Sequence, residues 1–130
     1  MNLQAKGEFN VKLKPLTDER EIPLFGRMSI DKEFSGDLVG TSLGQMLSAG
    51  TAIPNSAGYV AIEKVDGTLH GRQGTFVLQH NATMDKGVGI LNIIVVPDSG
   101  TDELLGLTGN LKIIRKDGKH FYEFDYELPE

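Results

Sequence analysis

The sequence contains no cysteine and no tryptophan. The missing cysteine excludes a disulfide scaffold and any thiolate chemistry. Long hydrophobic runs are missing too, and no stretch reaches the length that would cross a bilayer as a helix. The first residues, Met1-Asn2-Leu3-Gln4-Ala5-Lys6, show neither the apolar core nor the cleavage site of a signal peptide, so a cytoplasmic protein is expected. Without secretion, the sequon Asn81-Ala82-Thr83 reads as chance. Positive charge is short: 13 Lys and Arg stand against 18 Asp and Glu, a formal net charge of −5. That balance argues against nucleic-acid and membrane partners, which call for a basic face. Helical patterning is also lacking, since apolar residues nowhere recur at the i, i+3, i+4 spacing of an amphipathic helix.

What is present is β-patterning punctuated by glycine, of which there are 16 in 130 residues. The length suits a single domain spanning residues 1–130 with one core. Over residues 5–14, Phe9, Val11 and Leu13 alternate with Glu8, Asn10, Lys12 and Lys14, which predicts a strand with one wet face. Residues 16–25 hold a charge run and Pro23 and read as a long surface loop. A second strand over 27–35 places Met28, Ile30 and Phe34 on one face and Ser29, Asp31 and Glu33 on the other. After a turn at Ser35-Gly36-Asp37, residues 38–49 form a third strand, where Gly40 and Gly44 signal bends or close backbone approach.

The chain is organised around Ser56–Met84. It reads as two long strands folded over Gly71-Arg72-Gln73-Gly74, with Arg72 and Gln73 as the loop and Gly71 paired with Gly74. Side chains alternate along a strand, so Tyr59, Ala61, Glu63, Val65 and Leu69 share a face with Phe76, Leu78, His80, Ala82 and Met84. That face is mostly apolar and is placed inside, with Tyr59, Glu63 and His80 as its polar members. Glu63 and His80 are diagonal cross-strand neighbours in this register. A bulge at Asp66-Gly67 would move Glu63 to the other face relative to His80. Residues 88–96, after a turn at Asp85-Lys86-Gly87, are apolar on both faces and call for cover on both. Residues 105–115 and 119–128 form a hairpin over Asp117-Gly118, in which Leu111 faces Phe124, Ile113 faces Tyr122 and Lys112 forms an ion pair with Glu123.

The count is seven or eight antiparallel strands, which fits a sandwich or a barrel. Consecutive hairpins in the second half favour an all-β, antiparallel, up-and-down barrel, which leaves no edge strands. The inward set is Phe9, Val11, Leu13, Met28, Ile30, Phe34, Tyr122 and Phe124. Four stretches carry a family resemblance: GRMSIDKEFSGDLVGTSLGQML, SAGYVAIEKVDGTLHGRQGTFVLQH, VVPDSGT and DGKHFYEFDYEL. They resemble a bacterial family of small domains of unknown function that is similar in fold to allene oxide cyclase. The resemblance implies an eight-stranded barrel with an interior cavity. It implies no activity, because no motif here matches the cyclase catalytic residues.

Several constellations could carry chemistry. Tyr59, Glu63 and His80 inside a cavity suit proton transfer without a cofactor, or equally a buried network that only satisfies itself. His70, His80 and His120 lack the spacing of a metal site, and Asp98, Asp102 and Glu103 lack the alternating ligands of a calcium loop, so no metal and no cofactor are expected. Arg72 could anchor an anion at a barrel mouth or simply belong to a turn. Tyr122, Phe124 and Tyr126 form an aromatic stripe that either packs the core or lines a ligand cavity. Three functions stay open: a module binding a small apolar or aromatic molecule, a cofactor-free isomerase or cyclase, and a dimeric interaction protein with a filled core. A homodimer is expected on the apolar outer faces of Val60, Ile62 and residues 88–96.

Overall fold

The computed structural model describes residues 2–17 and 22–129. Eight antiparallel strands close into a barrel in strict chain order. They are β1 (Asn2–Pro15), β2 (Phe25–Gly36), β3 (Leu38–Gly50), β4 (Ala57–Leu69), β5 (Arg72–Asp85), β6 (Val88–Val95), β7 (Thr108–Lys116) and β8 (Lys119–Glu127). Among the described residues the only helical piece is a 3-10 turn over Asp102–Leu104, and no helix is long and apolar enough to cross a membrane. Of the expected loop at 16–25, residues 18–21 lie outside the described residues and Phe25 already belongs to β2.

Three hairpins close on two-residue loops with positive φ at both positions: His70-Gly71 (46° and 81°), Lys86-Gly87 (48° and 91°) and Asp117-Gly118 (53° and 74°). These are the backbone angles of the type I′ turn, whose twist matches that of the flanking strands. The central hairpin therefore departs from the sequence reading. Its loop is His70-Gly71, Leu69 pairs with Arg72, and Gly67 rather than Gly71 pairs with Gly74. The physical reason is the left-handed conformation, which histidine adopts more readily than arginine or glutamine and glycine adopts freely. The ladder from Ala57 to Leu69 runs without interruption, so there is no bulge at Asp66-Gly67. The partner of Glu63 moves from Ala82 to Leu78, an even number of positions, and the inward face is unchanged.

The last hairpin has the expected pairs Leu111–Phe124, Ile113–Tyr122 and Lys112–Glu123. The ion pair is corrected: Glu123 pairs with Lys6 of β1 at 3.7 Å. The strand expected over 105–115 begins only at Thr108. Leu104 and Leu107 turn inward instead and are completely buried, so the connection between β6 and β7 folds over one end of the barrel.

The two ends consequently differ. At the end where β3 begins and β4 finishes, Leu38, Leu69, Phe76, Leu104, Leu107, Phe124 and Tyr126 form a closed core, none of them more than 2% exposed. The other end is open. Leu13 faces inward there and is 47% exposed, whereas Phe9, Ile30, Phe34, Tyr122 and Phe124 are buried and Val11 and Met28 are partly so. Closure is thinnest between β6 and β7, where the ladder consists of the single pair Ile94–Asn110. The expected cover on both faces of 88–96 is met on one side only: Ile93 and Val95 are buried, while Val88 and Ile90 are 69% and 61% exposed.

Candidate functional site

The site grows from one inward carboxylate. Glu63 lies at the middle of β4, on the face shared with Ala61 and Val65, and none of it reaches solvent. Gly44 stands opposite it on β3. A Cβ at Gly44 would come within 2.1 Å of the Ile62 carbonyl oxygen and 2.8 Å of Glu63 Cβ, so glycine is what lets the two strands and this side chain fit.

Three donors surround the carboxylate. Lys32 Nζ lies 2.8 Å from Oε2, His80 Nε2 lies 2.8 Å from the same oxygen, and Ser42 Oγ donates to Oε1 at 3.1 Å. All three are buried, at 6%, 4% and 1% exposure for Lys32, His80 and Ser42. Lys32 also sits over the rings of Phe9 and Phe34, 5.0 and 6.0 Å from their centroids. Burial alone would push the Glu63 carboxyl up, but the His80 hydrogen bond and the Lys32 charge outweigh it and hold the group below its ordinary 4.5. The ionised carboxylate only accepts, so His80 donates through Nε2 and, in the neutral ring, Nδ1 remains as an acceptor.

Above this cluster lies a cavity of about 640 Å³ that fills the open half of the barrel. Val11, Ile30, Met46, Ala61, Ala82 and Ile113 supply apolar wall, and Lys32, Tyr59, His80, Arg115 and His120 supply polar groups. The Tyr59 ring stands 6.3 Å from that of His80. Burial raises the pKa of the Tyr59 hydroxyl, Glu63 raises it further and Arg115 opposes them, so Tyr59 stays a protonated donor at neutral pH. His120 stacks on Phe9 at 5.1 Å.

The structure thus brings Tyr59, Glu63 and His80 together, with Glu63 beneath the cavity wall and the other two on it. It does not bring Tyr122, Phe124 or Arg72 to them. The Tyr122 hydroxyl accepts from the Leu38 N–H and donates to the Ser35 carbonyl, both at 2.8 Å, and so ties β8 to the link between β2 and β3. Phe124 stacks on Phe76 at 5.8 Å within the closed core. Arg72 is exposed beside the His70-Gly71 turn, at the closed end. The sequence reading missed Lys32, Ser42 and Arg115, although strand alternation carries a signal for each. Lys32 lies between Ile30 and Phe34, Ser42 shares the face of Leu38, and Arg115 lies two residues beyond Ile113. His70 belongs elsewhere, bonded through Nδ1 to the Tyr126 hydroxyl and 3.5 Å from Asp37. Among the described residues no three His, Asp or Glu are grouped to hold a metal ion.

The depressed Glu63 pKa has a sign. The unfolded chain takes up this proton more readily than the folded one, so the cluster's contribution to stability is complete above the ordinary carboxylate pKa of 4.5 and is lost as pH falls through the lower folded value. Urea unfolding followed from neutral to strongly acid pH checks this. Glu63→Gln flattens the acid limb. Lys32→Met, which removes the lysine charge from a buried carboxylate and leaves it only His80 and Ser42, costs about 3–5 kcal/mol at neutral pH.

The comparisons with known proteins agree with this fold. No curated protein matches the chain. A crystal structure at 1.84 Å of a protein with unknown function from the DUF3224 family, from Shewanella oneidensis MR-1, is similar at 47% sequence identity and a TM-score of 0.94. The match covers 100% of this chain and 99% of that one. The family described as protein of unknown function (DUF3224) matches residues 5–126. The chain, a small all-β barrel, belongs to the DUF3224 family.

Proposed function

We propose that the protein binds a small, largely apolar molecule in the open half of its barrel. One observation carries this reading: the cavity of about 640 Å³, with an apolar wall onto which a few polar groups converge. That size and lining are those of sites for small organic ligands. A barrel serving only as an interaction surface would fill this space with side chains, as the closed end does. The resemblance to the allene-oxide-cyclase-type barrel supports a cavity and no particular chemistry.

The bond between Glu63 and His80 favours a second reading, cofactor-free isomerisation in the same cavity. Glu63 would orient the ring, His80 Nδ1 would take a proton from the substrate, and Tyr59 would donate to the oxygen where charge develops. Glu63 would not touch substrate, since its oxygens are engaged by Lys32, Ser42 and His80.

Native mass spectrometry of protein purified from its own host tests the binding reading. The expected result is a carried small molecule that is lost in Ala82→Trp, a substitution that fills the cavity from β5 while the closed core keeps the fold. Retention of the same molecule by a folded Ala82→Trp variant contradicts it. Turnover of the carried molecule by the wild type and not by His80→Ala moves the assignment to the enzyme.

We further propose that two copies pair through the outer faces of β3 and β4. Leu43, Leu47, Val60 and Ile62 form a patch there, each more than half exposed. Burying such a patch against its own copy across a two-fold axis is the commonest solution. The exposed polar face of β5, with Gln79 and Asn81 opposite Ile62 and Val60 and with Thr83 and Asp85 opposite Ile90 and Val88, separates the patch from β6, so the β6 face is a separate surface. Light scattering at micromolar concentration is expected to give the dimer mass for the wild type and the monomer mass for Ile62→Glu.

A further inference from the structure

The chain is acidic, with a net charge of −5, yet its cavity is not. Among the described residues that line it there is no Asp or Glu, while Lys32, His80, Arg115 and His120 all do. Lys32 is already matched by Glu63 at 2.8 Å. Among the described residues Arg115 enters no ion pair.

Its position follows from the alternation of β7. Leu111 and Ile113 face inward, and Arg115, two residues on, keeps that side at the rim of the open end, where it is exposed. There it pairs across the ladder with His120, whose ring lies against Phe9. Its charge is felt at the Tyr59 hydroxyl on β4, across the cavity. A planar guanidinium and a protonated phenol facing the same cavity offer several donors and no negatively charged group.

We propose that the molecule held in this cavity is an organic anion, with a compact apolar body against Ile30, Met46, Ala61 and Ala82 and a carboxylate-like end paired with Arg115. This rests on the cavity-binding reading and adds the charge of the ligand to it. An anion gains charge-assisted hydrogen bonds from a guanidinium that is exposed at the mouth of the cavity, while its apolar body is covered by the wall. A cation would meet Arg115 and Lys32 with no carboxylate left to accept it, because Glu63 has spent its oxygens on Lys32, Ser42 and His80.

Two fluorescent probes sharing one aromatic body separate the claims: anilinonaphthalene sulfonate, and N-phenylnaphthylamine, which lacks the sulfonate. The expected result is that the sulfonate binds more tightly and that Arg115→Gln weakens it roughly tenfold, leaving the uncharged probe unchanged. Arg115→Lys restores part of the loss, and added salt weakens the sulfonate alone. A thermal melt confirms that Arg115→Gln is folded. Equal affinity of the two probes, or an equal effect of Arg115→Gln on both, overturns the anion assignment and leaves cavity binding standing. Failure of both probes to bind overturns the cavity reading, and the anion assignment falls with it.

Discussion

A carboxylate sealed inside a barrel is the constraint that the rest of this structure answers. Glu63 has no exposure at all, and an ionised group in that position costs several kcal/mol unless its surroundings replace the lost water. Here three strands other than its own supply the replacement: Lys32 from β2, Ser42 from β3 and His80 from β5. Four consecutive strands are thereby fixed in register at one level of the barrel. A slip of one residue in any of them would carry a donor to the outside face. The glycine at position 44 belongs to the same solution, since any larger residue would collide with the backbone on which Glu63 sits.

This cluster also marks a boundary. On one side the interior is solid, closed by aromatic stacking of Phe76, Phe124 and Tyr126 and by Leu104 and Leu107 from the β6–β7 connection. On the other side it is hollow. Lys32 and His80 present their remaining surface to the hollow half, while Glu63, which holds both by hydrogen bonds, stays behind them. The hollow half also carries the weakest seam, since β6 and β7 share one ladder pair and residues of both strands, Leu91 and Ile113 among them, line the cavity. A filled closed end and an open end with a one-pair seam suit the proposed binding of a small molecule.

Much of this was legible in the sequence because the period of a strand is two. Alternation placed Phe9, Ile30, Phe34, Glu63 and His80 inward, and an even slip of the central hairpin left that assignment intact even though the turn itself was misplaced. The turn went astray because two glycines flank Arg72-Gln73, while the loop demanded two left-handed residues in succession, which His70-Gly71 supplies. Lys32 and Ser42 escaped for a different reason. A lysine or serine on an apolar face looks like noise until its partner is known, and the partner lies on a strand distant in sequence. Tyr122 and Phe124 were inward as expected, but alternation cannot say at which level along the barrel a side chain sits. They fall in the filled half because β8 pairs with the start of β1 there, Gly7 opposite Tyr122 and Ala5 opposite Phe124.

The central claim is that the barrel is filled at one end and receives a ligand at the other. Methyl NMR during titration with N-phenylnaphthylamine tests it most directly. The account predicts shifts at Ile30, Met46, Ala61, Ala82 and Ile113, with Leu38, Val65, Leu69 and Leu104 unmoved. Shifts confined to Leu43, Val60 and Ile62 on the outer wall, with the open-half methyls silent, would contradict it.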